Sequence, residues 1–311
     1  MSEPSIPSLY TGLVDDAALF PPGNAPMPDA LASHAEHRAS WYRALVGPFL
    51  CPDTRLPELR KELPASLGGR TTGSSGEPAD GSAEPTEPLL ELGLIITGGA
   101  GAIEPAITWV RREPVLRLRG LEIALRDEPD PGRNVDRIAL ALRSAGIEDL
   151  DSIPISVEIP PGQPSPNDGD APDVLDALAQ HGYRAKLRTG APDGSAPSPE
   201  RVARFILNCL DRELAFKCTA GLHHAVRNEQ DEQHGFLNIL AATHAALGGA
   251  DESDVIRALA ETDPLVLQAD LGGLNEDAAR SVRRWFGSFG SCSIVEPLDD
   301  LTELELIRTP S

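Results

Sequence analysis

The chain has 311 residues, 41% of them hydrophobic, enough for one large α/β domain or two small ones around a buried core. Its formal net charge of −21 repels polyanions, which excludes nucleic acid and anionic membrane surfaces as expected partners. Aromatic residues are only 4% of the chain, so the core has to be built from Ala, Leu, Ile and Val.

In chain order, the opening residues MSEPSIPSLYTG carry neither a basic stretch nor an apolar leader core, and no later run is long enough to span a membrane. A cytoplasmic, acidic protein is expected. Strand-like runs are predicted at 10–14, 47–51, 92–97, 120–125, 153–159, 184–188, 215–219 and 291–296. Between the second and third lies a Gly/Ser/Pro/Glu-rich stretch, 64–88, too poor in apolar residues to join a core and read as a disordered insertion within one domain spanning 1–311. Helical spacing is clear at Val135, Ile138, Ala139 and Leu142 and again at Val202, Phe205, Ile206 and Cys209. Ser198 and Pro199 supply the cap and first residue of the latter helix. Gly98, Gly99 and Gly101 read as a flexible turn before a helix at 104–112, since no full phosphate-binding motif surrounds them.

Eight strands alternating with helices predict a (β/α)8 barrel, with an open doubly wound parallel sheet as the alternative. Strand parity favours the barrel. Glu122 alternates with Leu121 and Ile123, Ser156 and Glu158 with Val157, Lys186 and Arg188 with Leu187, and Lys217 with Phe216 and Cys218. An open parallel sheet buries both faces under helices and calls for near-continuous apolar strands, whereas a barrel interior accepts one charged face. Segments following the strands are long and polar, which marks the strand C-terminal ends as the functional side.

Lysine use sharpens the choice of residues. Among 27 basic residues only Lys61, Lys186 and Lys217 are lysine, and the last two fall on strands. A lysine inside a barrel beside other cations is a candidate Schiff-base nucleophile. Lys217 is the leading candidate, with Lys186 as the cation lowering its pKa. Glu158 with His223 or His224 is assigned proton transfer, and Arg188, Thr219, Asp16, Asn24 and Glu122 substrate binding. Asp15 and Asp16 are expected just after the first strand, ahead of the turn Phe20-Pro21-Pro22-Gly23-Asn24, which folds over the barrel mouth. Glu296 is expected at the C-terminal end of the last strand. The bland reading makes Glu122, Glu158, Lys186, Arg188 and Lys217 an internal ion-pair network. His34 and His37 are read as helix-surface or satisfied histidines. The four cysteines, Cys51, Cys209, Cys218 and Cys292, lack metal-type spacing and are read as reduced, mostly packed thiols.

The Lys217-Cys218-Thr219-Ala220-Gly221 run resembles the K-T-S-T-G strand of deoxyribose-phosphate aldolases, a likeness of five residues that implies a Schiff-base role for Lys217. The VDDAALFPPGN and KLRTG segments are similar to those of uncharacterised actinobacterial proteins, which implies no particular reaction. The sequence thus predicts a barrel enzyme acting on a small carbonyl-containing or anionic metabolite, lyase-like and needing no cofactor. One alternative is a metal-dependent hydrolase or isomerase, with His223, His224 and His234 around a divalent ion completed by Glu158 or Asp16. The other is a non-catalytic ligand-binding protein. The implied partner is a small molecule, and no feature of the chain specifies an oligomeric state.

Overall fold

Alternating apolar residues place one face of each strand against helices and turn the other inward, and eight such strands close on themselves. A computed structural model describes residues 5–63, 90–126, 130–147, 153–159, 174–190 and 195–310. The insertion at 64–88 lies outside these residues, as do parts of the segments after the fourth, fifth and sixth strands. The elements run β1 (Val14–Asp16), α1 (Met27–Ala39), β2 (Val46–Pro52), α2 (Leu56–Glu62), β3 (Leu90–Ile96), α3 (Ile103–Arg111), β4 (Leu116–Ala124), α4 (Pro131–Ser144) and β5 (Ile155–Glu158). They continue with α5 (Val174–Gln180), β6 (Arg184–Arg188), α6 (Pro199–Asp211), β7 (Phe216–Thr219), α7 (Phe236–Leu247), α8 (Glu252–Ala260), α9 (Pro264–Gly272), α10 (Glu276–Trp285), β8 (Phe286–Ser291) and α11 (Val295–Glu303). Each strand pairs in parallel with the next, and β1 pairs with β8. That last pairing removes the open-sheet alternative and establishes a (β/α)8 barrel.

Local signals behave as their chemistry requires. Ser198 accepts a hydrogen bond from the Arg201 amide at the start of α6, and Val202, Ile206 and Cys209 are buried beneath it. Val135, Ile138, Ala139 and Leu142 are buried along α4. Around β7 and β8, Phe216 stacks on Phe286 and Phe289 on α7 Phe236, with ring centroids 5.4 and 5.2 Å apart. No helix among the described residues is long and apolar enough to cross a membrane.

Two strands differ from expectation. Residues 8–10 form a short 3-10 turn, and β1 starts at Val14, so Asp15 and Asp16 belong to the strand instead of following it. β8 is FGSFGS at 286–291, five residues upstream of the expected start, and Glu296 falls in the first turn of α11. Phe286 pairs with Phe216 and Phe289 with Cys218, so a bulge in β8 puts two phenylalanines three apart on the same outer face and hides the strand's period of two.

Inward residues fall into layers set by odd and even strands, as strand tilt requires in such barrels. The lowest comprises Asp15, Gly93, Ser156 and Lys217 from odd strands, all of which line a small cavity of about 170 Å³ at the N-terminal end. Above it, Leu50, Glu122 and Lys186 come from even strands. The top odd layer is Ala17, Ile95, Glu158 and Thr219, and all four line a cavity of about 770 Å³ at the C-terminal end.

Candidate active site

A single ladder of alternating charge runs through these layers. At the top, Arg188 Nε donates to Glu158 Oε1 at 2.9 Å. Glu158 Oε2 is 2.9 Å from Lys186 Nζ, and Lys186 Nζ is 2.7 Å from Glu122 Oε2. Below, Lys217 Nζ donates to Glu122 Oε1 and to Asp15 Oδ2, each at 2.5 Å. Ser288 Oγ ends the ladder by donating to the same Asp15 oxygen at 2.7 Å. Three cations meet three carboxylates, and all but Arg188 are buried. Gly47 is required beside this lower end, because a Cβ there would lie 2.2 Å from Asp15 Oδ1.

The titration of each group follows from its number of partners. Burial opposes charge on Lys217, yet its two carboxylate neighbours overturn that effect and hold it above the ordinary lysine range. Burial also opposes the Glu122 carboxylate, but a lysine on each oxygen holds it down at about 2. Against the same burial effect, Lys186 and Arg188 lower Glu158. Asp15 has one ammonium neighbour and is repelled by Glu122, so burial prevails and pushes it up. Lys186 therefore does not face Lys217 as a bare cation lowering its pKa: Glu122 lies between them.

The structure separates the expected site residues into groups. Lys186, Glu158, Arg188, Thr219 and His223 line the upper cavity. Lys217 and Glu122 do not; they face the lower one. Asp16 points to the outer face of β1, opposite Asp15, where its Oδ2 is 2.8 Å from Nδ1 of buried His34 on α1. Asn24 is exposed at φ 46°, and its side-chain amide donates to Pro22 O within its own turn. The histidine pair diverges: His223 Nδ1 meets Glu296 at 3.1 Å at the cavity wall, while His224 Nδ1 meets Asp300 at 3.2 Å and is largely exposed. His234 is buried elsewhere, with Nε2 on Pro197 O. The metal alternative needs these rings and an acid around one ion, and no group of three or more His, Cys, Asp or Glu side chains among the described residues is arranged to hold one.

Two cavity residues with charged or reactive side chains were given no site role by the sequence reading. Arg126, just beyond β4, lines the upper cavity and donates through Nη2 to Gly98 O. It rests on Gly99, whose φ is 74° and where a Cβ would lie 2.6 Å from Arg126 Nη2. The glycine turn thus seats a guanidinium. Cys292 is the second; it lies at the wall beside His223, whereas the other three thiols are buried. Phe20, Pro21 and Pro22 line the mouth as the turn preceding α1 was expected to do. The cavity can accordingly hold a small anion between Arg126 and Arg188, above a lysine flanked by two carboxylates. No family model matches the chain, and no curated protein is significantly similar to it.

Proposed function

We propose that this barrel is an enzyme of lyase type acting on a small anionic metabolite that carries a carbonyl group, with Lys186 as the lysine that meets the substrate. The observation that supports this most is the position of Lys186 on the floor of the upper cavity, with Arg126 and Arg188 on the walls. A cavity of about 770 Å³ suits a metabolite-sized ligand. Arginine matches carboxylate or phosphate oxygens with paired donors and remains charged, which suits both guanidiniums to anchoring.

Lys186 contacts two carboxylates, and Glu158, the one that lines the cavity, is the acceptor for a proton from Nζ. The freed amine then adds to the substrate carbonyl carbon to form the C–N bond; one proton passes from nitrogen to the carbonyl oxygen, the proton held by the carboxylate joins it, and the oxygen departs as water to leave an iminium. The resulting iminium withdraws electrons from the adjacent carbon, whose bond to a neighbouring atom then breaks. Glu158, held ionised by Lys186 and Arg188 against burial, is the base nearest the cavity. Lys217 keeps Glu122 charged from below and acts as a positioning residue. This reassigns the Schiff-base role from the lysine suggested by the aldolase-like run to its neighbour on β6.

Borohydride reduction in the presence of 2-oxo acids and phosphorylated aldehydes, followed by peptide mass spectrometry, tests the reading. An irreversible adduct at Lys186 is expected; an adduct at Lys217 would reverse the assignment, and none with a compound the protein turns over would remove Schiff-base chemistry. Complete pairing of the ladder favours one second reading, a non-catalytic receptor for the same anions. Tight binding without turnover of any bound compound would select it.

A further inference from the structure

The upper cavity has two unlike halves. In a closed ring of eight strands each strand faces the one four places on, so β1, β2 and β3 stand across the axis from β5, β6 and β7. The latter arc supplies Glu158, Lys186, Arg188 and Thr219 to the cavity, whereas the former supplies Ala17, Leu50 and Ile95. Phe20, Pro21 and Pro22 of the turn before α1 continue the apolar side up to the mouth. Thr97, just beyond β3, is the polar side chain on this side among the described residues, and its hydroxyl is bonded to Asp53 Oδ1 at 2.5 Å. Leu50 extends across the barrel between two glycines: a Cβ on Gly93 would collide with its Cδ2, and a Cβ on Gly290 would lie 3.3 Å from its Cδ1. Because Leu50 borders both cavities, it forms an apolar floor to the upper one.

We propose that the ligand of this cavity is an amphiphilic 2-oxo acid, with its carboxylate at Arg188, its carbonyl carbon at Lys186 and a hydrocarbon chain of several carbons against Leu50, Ile95 and the Phe20-Pro21-Pro22 turn. The inference rests on the lyase reading for the anion and the carbonyl, and adds the chemistry of the remaining part of the molecule. In a 2-oxo acid the carboxylate and the chain leave the carbonyl carbon on opposite sides, which is the order of Arg188, Lys186 and the apolar wall. A hydroxylated chain, as in a sugar phosphate, would lay its hydroxyls on side chains that cannot replace the hydrogen bonds lost from water.

Calorimetric titration of the full chain with unbranched 2-oxo acids from 2-oxobutanoate to 2-oxoheptanoate tests this. Each added methylene is expected to tighten binding about four-fold, roughly 60-fold over the series, and to make the heat-capacity change of binding more negative. 2-Oxohexanoate hydroxylated along its chain should bind at least about ten-fold more weakly than the parent acid. Ile95→Thr, at a half-buried position, should reduce the gain per methylene to about two-fold while leaving 2-oxobutanoate within about two-fold of wild type. Arg188→Gln should weaken every member alike. A wild-type affinity that varies by less than about two-fold across the series overturns the inference, even if Ile95→Thr fails to fold, and leaves the anion and carbonyl reading intact. A chain-length dependence in which Arg188→Gln binds every member as wild type does puts the chains elsewhere and overturns it as well. No binding of any member or of inorganic phosphate removes the reading and the inference together.

Discussion

Lys217 and Lys186 are register partners on adjacent strands, but they occupy different environments. Lys217, in the lowest layer, is closed between Asp15 and Glu122 and adjoins a space of about 170 Å³. Lys186, one layer higher, is the floor of a space more than four times larger. The comparison teaches that an inward lysine is committed to structure or freed for chemistry by its layer. A lysine that alone pairs with one of its carboxylates, as Lys217 does with Asp15, is structural; one whose carboxylates each contact a second cation can be borrowed by a substrate.

The sharpest way to break this contrast is to remove each lysine in turn. Lys217→Ala takes from buried Asp15 its ammonium partner, leaving the hydrogen bond from Ser288, and strips one oxygen of buried Glu122. A loss of about 3–5 kcal/mol is expected in denaturant unfolding. Next in size is the acid response of Glu122. Its carboxyl is held at about 2 in the fold against an ordinary 4.5, so it stabilises the protein above pH 4.5 and loses that contribution as pH falls toward 2. The interval corresponds to about 3 kcal/mol. Asp15, pushed up by burial, acts in the opposite sense. Unfolding free energies of wild type and Glu122→Gln between pH 6 and 2 should therefore converge, and parallel curves would show that Glu122 is not anchored as described.

Lys186→Ala should cost less than Lys217→Ala, roughly 1–3 kcal/mol, because Glu158 keeps Arg188 and Glu122 keeps Lys217. Borohydride trapping should fail completely in this variant if the proposed role is right. Equal destabilisation by the two substitutions would erase the distinction between the layers.

How much of this was legible beforehand depends on strand regularity. Glu122, Glu158, Lys186, Arg188 and Lys217 were read onto the interior because their strands alternate cleanly. Layers were not legible: register partners lie perpendicular to tilted strands, so a shared register becomes a difference in height along the barrel. Asp15 and Ser288, which complete the lower end, sit on the two least strand-like segments. β1 has three residues, two of them acidic, and β8 is two-thirds glycine and serine with a bulge that breaks its alternation. Arg126 gave no periodic signal because it lies beyond its strand. The glycines ahead of α3 were the available clue, since Gly99 makes room for its guanidinium.

Arg188→Gln is the smallest perturbation of the fold and the most selective test of the upper layer. Its side chain is 37% exposed, and its ion pair with Glu158 is shared with Lys186, so a stability change of about 0–1 kcal/mol is expected. Anion binding should respond quite differently. Loss of a charge-assisted hydrogen bond worth about 1.5–3 kcal/mol weakens affinity by roughly 10- to 150-fold. Calorimetric titration with inorganic phosphate and with 2-oxo acids would measure it, with Arg126→Gln as the companion variant in the same cavity. If phosphate and oxo acids bind the variant as they bind wild type, Arg188 belongs to the ladder alone. If stability falls as far as in Lys217→Ala, the top of the ladder is as structural as its base, and the upper cavity loses its claim to be the end of the network where charge is available to a ligand.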